Sequence, residues 1–267
     1  MSEVHERRLY GHRGASASVA ENTMESFQRA IVDGANAIEL DVHVSADGHA
    51  VVSHDADGRR RAGVRRAIRD CSMSELRGWN VGASHEGVLA RMPTFDEVLE
   101  AFPGVRLNVD IKPPDVSAVP RVLEAIERHR AAGRVTLASF HQAVLSALVR
   151  QRFAGEIGLG PSEVVQLWLG LTRLSRRFRP RGVAVQIPPR FRGLRLDTPA
   201  FIARCHALGL RVDYWVVNDP NAARVLLEAG ADGIMSDEPA TIAPVMSATS
   251  SFRPCSPDAP TDRTARR

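Results

Sequence analysis

Apolar and polar positions along the 267-residue chain fall into two alternating rhythms. Short apolar runs occur at 8–11, 37–44, 50–54, 106–111, 134–140, 156–159, 182–187, 210–217 and 232–235. They have the length of strands. Between most of them, apolar residues recur at helical spacing: 23–33, 117–131, 142–152, 162–178, 199–207, 222–229 and 240–246. A strand–helix–strand order predicts parallel pairing, since parallel neighbours need a crossover. About eight such units predict an α/β fold closed into a (β/α)8 barrel of the TIM type. An open doubly wound sheet is the competing architecture, but no Gly-rich dinucleotide fingerprint accompanies it.

Two regions break the rhythm. The stretch 45–50, SADGHA, places Asp-Gly between two β-like runs, which predicts a hairpin. Residues 56–92 are polar and Arg-rich, with one short helix expected near 74–79. They read as a small insertion after that hairpin, lying over one end of the barrel. From Ser247 onward Ser, Pro, Thr and Arg dominate. The expected organisation is a barrel over 1–246 and a disordered tail over 247–267.

Composition narrows the picture. A hydrophobic fraction of 44% suffices for a core of this size. No run of about eighteen apolar residues is present, so no transmembrane helix is expected. The charged start MSEVHERRLY lacks a signal-peptide core, and a cytoplasmic location is expected. The three cysteines have no metal-ligand spacing. A net charge of +4 is compatible with anionic substrates, anionic lipid surfaces or nucleic acid, although a general preference for arginine is the simpler account of most of the surface. The stretch 164–181, apolar with a basic end, fits either a membrane-surface helix or ordinary barrel packing. Dispersed arginines and few aromatics argue against nucleic acid. Nothing in the chain specifies an oligomeric state.

Arginine supplies the basic side chains everywhere except at Lys112, the only lysine. A lone lysine suggests a position that needs a compact ammonium rather than a planar fork. It closes the strand LNVDIK two residues after Asp110, on the same side of that strand. Glu39 and Asp41 also share a strand face. Inward carboxylates are costly unless neutralised, and a hard divalent cation does this. Salt-bridge partners or solvent are the alternative. His12 follows the first strand in GHRG and His54 closes VVSHD. Two histidines at strand ends are suited to general acid and base work. Arg13 is placed to grip a phosphate oxygen. His43 and His141 are lesser candidates. His5, His49, His85, His129 and His206 read as ordinary surface or tail residues.

Taken together, GHRGASASVAENTMESFQRAIVDGANAIELDVHVSADGHAVVSHD resembles the N-terminal signature of glycerophosphodiester phosphodiesterases. RVDYWVVND and GADGIMSDEP resemble the last two barrel strands of that family. The similarity spans about Leu9 to Pro239 and is thinnest over 155–195. It implies hydrolysis of a glycerophosphodiester to sn-glycerol 3-phosphate and an alcohol. It implies one divalent metal, Mg²⁺ or Ca²⁺ with Mn²⁺ as a further choice, held by Glu39, Asp41 and Asp110. It gives His12 and His54 the acid and base roles, and Trp215 a place in the substrate pocket. Arg13, Lys112, Glu21 and Asn22 fall in the phosphate or metal surroundings. The chain departs from the family pattern at Ala20 (commonly Pro), Ser45 (commonly Thr), Asp110 (commonly Glu) and Val216 (commonly Thr). Related barrels make lysophospholipase D-type cleavage of longer lipids one alternative; a non-catalytic phospholipid-binding barrel is another, against which the full set of acids and histidines argues.

Overall fold

The structure is a computed structural model that describes residues 6–82, 89–170, 180–249 and 251–255. Its strands are β1 Arg8–His12, β2 Ala37–Val44, β3 Ala50–Val52, β4 Arg106–Ile111, β5 Val135–Ala138 and β6 Glu156–Ile157. They continue as β7 Ala184–Ile187, β8 Arg190–Phe191, β9 Leu194–Arg195, β10 Arg211–Tyr214 and β11 Gly233–Ser236. The helices are α1 Met24–Val32, α2 Arg59–Ala62, α3 Met73–Leu76, α4 Phe95–Ala101 and α5 Ala118–Arg128. The rest are α6 Gln142–Arg150, α7 Pro161–Trp168, α8 Pro199–His206, α9 Pro220–Glu228 and α10 Pro239–Ser247.

Eight strands pair in parallel in the order β6-β5-β4-β2-β1-β11-β10-β7. A parallel bridge between Gly158 and Ala184 joins the two ends, so the sheet closes on itself as the expected barrel. Alternation along each strand sorts the side chains. Ile38, Leu40, Val42, Leu107, Val109, Ile111, Val212 and Ile234 are fully buried among the helices. The other parity carries polar groups into the barrel. Arg8 and Arg211 donate to Glu156, Thr136 donates to Glu156 at 2.7 Å, and Tyr10 donates to Asp213 at 3.1 Å. Gly233 makes room for this layer. A Cβ there would lie 2.3 Å from an Asp213 oxygen.

Several local expectations change. β3 ends at Val52, which leaves His54 on a bend beyond the strand. α4 was not anticipated, although Thr94 and Glu97 form a reciprocal capping box at its start. The β8–β9 hairpin was also unforeseen. Its turn residues Arg192 and Gly193 both have positive φ, as a two-residue hairpin turn requires. The helix expected over 162–178 ends at Trp168, and residues 171–179 lie outside the described ones.

The insertion holds α2, a 3₁₀ turn at Ile68–Asp70 and α3 rather than one short helix. Ile68, Cys71, Met73, Leu76, Trp79 and Met92 bury one another in a small core of their own. The tail expected to be disordered from 247 begins otherwise. Phe252 is buried in the barrel–helix core, and Arg7 donates its N–H to the Ser251 carbonyl at 3.0 Å. Residues 256–267 lie outside the described ones. Among the described residues, no helix is long and apolar enough to cross a membrane.

Candidate active site

The site gathers at the C-terminal ends of β1, β2 and β4, where barrels of this type place their chemistry. Register decides which side chains meet. His12 on β1 is opposite Glu39 on β2, and Asp41 on β2 is opposite Asp110 on β4. Glu39, Asp41 and Asp110 are all buried.

The turn after β1 is shaped by its own sequence. Arg13 adopts φ 55° and Gly14 φ 86°. A Cβ on Gly14 would lie 2.3 Å from Ser26 Oγ, so only glycine lets this turn pack against α1. The turn aims the Arg13 N–H at Glu39 Oε2, 3.0 Å away. It also sets the Arg13 guanidinium Nε 3.3 Å from Asp41 Oδ2, an ion contact without hydrogen-bond alignment. Asn22, at φ 57°, donates to Asp41 Oδ2 at 2.8 Å and accepts the Asp41 N–H at 3.3 Å.

Lys112 Nζ lies 2.8 Å from both Asp41 Oδ1 and Asp110 Oδ2. Burial works against its charge, but the two aspartates outweigh burial and hold it above the usual lysine range. Burial pushes Asp41 up, and Lys112 and Arg13 more than reverse this. Asp110 stays above the ordinary aspartate value because burial outweighs Lys112. Glu39, pushed by burial and then by the Asp41 charge, rises to about 7.

Both histidines are anchored through Nδ1 to a carboxylate. His12 Nδ1 meets Asp237 Oδ1 at 2.7 Å, and His54 Nδ1 meets Asp55 Oδ1 at 2.9 Å. A carboxylate accepts, so Nδ1 is the donor in each pair and Nε2 makes no contact with that carboxylate. His12 Nε2 lies 3.9 Å from Glu39 Oε2. Burial lowers the His12 pKa, but Glu39 and Asp237 outweigh it, and the net shift is upward. Asp237 also accepts from Ser16 at 2.8 Å and from Asn218 at 3.0 Å. Asp55 accepts from Arg60 of the insertion at 2.6 Å, and Arg60 bridges on to Glu21. Glu21 also takes Arg13 at 3.4 Å.

The expected residues His12, Arg13, Glu21, Asn22, Glu39, Asp41, Asp110 and Lys112 thus join one connected polar network, to which His54 is tied through Asp55 and Arg60. Trp215 follows β10 and stands edge-on to Phe140, with ring centroids 6.1 Å apart. His43 sits behind His54, with Nε2 3.3 Å from the His54 carbonyl. His141 precedes α6 with no side-chain role in its cap. His129 and His206 pair with Asp96 and Asp232. His5 and His85 lie outside the described residues. Sequence reasoning missed Asp237, Asn218 and Arg60. Asp55 was in view beside His54, but its role was not.

The acids suit a hard divalent cation. They are oxygen donors, Glu39 is driven towards holding a proton, and Asp110 Oδ1 is buried without a hydrogen-bond partner among the described residues. Among the described residues, no three such side chains form a ready-made metal cage.

A family model for the glycerophosphoryl diester phosphodiesterase family matches residues 12–241. A probable glycerophosphodiester phosphodiesterase 2 from Mycobacterium tuberculosis is 32% identical over 240 residues, covering 86% of this chain and 87% of the relative. A lysophospholipase D from Rattus norvegicus is 28% identical over 263 residues, covering 87% and 83%. An Oleispira antarctica phosphodiesterase, solved with its product sn-glycerol-3-phosphate, superposes with a TM-score of 0.77 at 22% identity, covering 90% of this chain and 96% of that one. That last likeness supports the fold alone. With the family matched across most of the barrel, the chain belongs to the glycerophosphoryl diester phosphodiesterase family and is a phosphodiesterase.

Proposed function

We propose that the protein hydrolyses glycerophosphodiesters to sn-glycerol 3-phosphate and an alcohol, with a divalent metal and the pair His12 and His54. The observation that carries this reading is the matched anchoring of both histidines, which frees each Nε2, beside the cluster Glu39, Asp41 and Asp110. The product found with the Oleispira protein is in keeping with it.

Glu39, Asp41 and Asp110 are the residues that would hold Mg²⁺, Ca²⁺ or Mn²⁺. Such a cation would supply positive charge against the phosphate and against the charge that develops during cleavage. Lys112 and Arg13 add fixed positive charge, and Arg13 offers its fork to a phosphate oxygen. One histidine takes a proton from the nucleophile, which is water or the substrate's own glycerol 2-hydroxyl. A P–O bond forms and the P–O bond to the alcohol breaks. The second histidine gives its proton to the departing alkoxide. Where the 2-hydroxyl attacks, water then opens the cyclic phosphate. Trp215, edge-on to Phe140, lines the substrate pocket.

The test is release of glycerol 3-phosphate from a panel of glycerophosphodiesters with Mg²⁺, Ca²⁺ or Mn²⁺ and with chelator. The expected result is release that chelator abolishes and added metal restores. His12→Ala and His54→Ala should each lower kcat by about 10²–10⁴-fold with the fold intact. Near-normal turnover of either variant in a metal-replete assay overturns the assignment.

One observation favours a second reading, lysophospholipase D-type cleavage. Phe140 and Val216 are exposed beside Trp215 at the barrel mouth, an apolar wall suited to a longer chain. Turnover of lysophosphatidylcholine but not glycerophosphocholine would select it.

A further inference from the structure

The mouth of the barrel is divided by polarity. The ends of β1, β2 and β4 carry the acids, the histidines and the insertion. β5, β6, β7 and β10 are consecutive around the barrel, and the segments that follow β5, β7 and β10 carry large apolar side chains outward. Phe140 is 60% exposed, Phe191 53%, Leu194 42% and Val216 37%.

Phe191 and Leu194 lie on the β8–β9 hairpin, which rises after β7 and pairs only with itself among the described residues. They are directly cross-strand, so both point to one side of the ribbon. Arg190 and Arg195 are likewise opposite each other and point to the other side. Two like charges facing across a hairpin weaken it, and an exposed Phe–Leu pair contributes little in water. Arg192 reaches over the Phe191 ring, with its guanidinium carbon 5.5 Å from the centroid. Asp197 takes Arg195 at 2.9 Å, whereas Arg190 and Arg192 have no carboxylate partner among the described residues. A short ribbon of sequence RFRGLR at an enzyme's mouth therefore pairs apolar tips with unneutralised guanidinium groups. A surface that is apolar below and anionic above complements both.

We propose that the β8–β9 hairpin docks this protein on an anionic lipid surface, inserting Phe191 and Leu194 while Arg190 and Arg192 meet the head groups. This places the apolar half of the mouth against the membrane. The docking does not rest on the reaction proposed above, because it is read without turnover.

Co-sedimentation of the full chain with phosphatidylcholine vesicles, with and without phosphatidylglycerol, tests it. Binding is expected only to the anionic vesicles and should weaken as salt rises. The double variant Phe191→Ser/Leu194→Ser should bind more than about tenfold more weakly. Arg190→Gln and Arg192→Gln should each weaken binding about fivefold. Both apolar positions are exposed, so the melting temperature of the double variant should match the parent. Three results overturn the proposal: no binding of the parent to anionic vesicles, unchanged binding of all hairpin variants, or a hairpin-dependent dimer in solution that accounts for sedimentation.

Discussion

Asp55 shows how much of this site acts through a neighbour. It stands between His54 and Arg60 and accepts from both, at 2.9 and 2.6 Å. Burial pushes its carboxyl up, yet these two hydrogen bonds bring it below the ordinary aspartate value. With His54 in its proposed role, Arg60 is a positioning residue, holding the carboxylate that holds the imidazole. Replacing it with Gln should lower kcat about tenfold and leave KM nearly unchanged. Arg60→Lys, which keeps the charge, should recover part of the loss. A change in KM alone would show that Arg60 touches substrate instead. At this scale the sequence was informative where chemistry-bearing residues lie in one short signature, as in GHRG and VVSHD. It was silent on Asp237, which anchors His12 from 225 residues away. Arg60 was hidden among many arginines, because nothing in composition singles out the one that meets Asp55.

Among the elements, spacing revealed most strands and the helices between them, since period and length carry that information. The misses have local causes. α4 is only seven residues long, too short for periodicity to register. Its signal was the Thr94…Glu97 capping box. Thr94 Oγ1 accepts from the Glu97 N–H at 3.2 Å, and Glu97 Oε2 accepts from the Thr94 N–H at 2.7 Å. Thr94→Ala should therefore cost about 1 kcal/mol, which thermal unfolding would read as a drop of about 2–4 °C. No change would mean that Phe95, Val98 and Leu99, all buried, hold the helix without its cap. The β8–β9 hairpin was missed for another reason. Its strands are two residues each, below the length at which alternation can be recognised.

Across the whole molecule, the barrel interior below the site is charged. Arg8, Arg211, Glu156 and Asp213 compensate one another there. Burial pushes Glu156 up, but Arg8 and Arg211 hold it well below the usual carboxylate range. For a depressed acid, the stabilisation is complete above the unfolded value and is lost as pH falls towards the folded one. Glu156→Gln should then cost about 2 kcal/mol at neutral pH, reduced from a fully buried pair because this carboxylate is partly exposed. The gap between parent and variant in denaturant unfolding should narrow below about pH 4. A gap independent of pH would assign the loss to packing. The sequence by itself determined the parallel barrel, its two-residue alternation and the strands that carry acids, together with His12 at the end of β1, because these depend on local period and on residue chemistry. Only the tertiary structure decided that Asp41 meets Asp110, that His12 meets both Glu39 and Asp237, and that the lone ammonium of Lys112 lies between two aspartates. Those meetings depend on strand register and on the side-by-side pairing of β11, β1, β2 and β4, which brings together residues that no short stretch of chain contains.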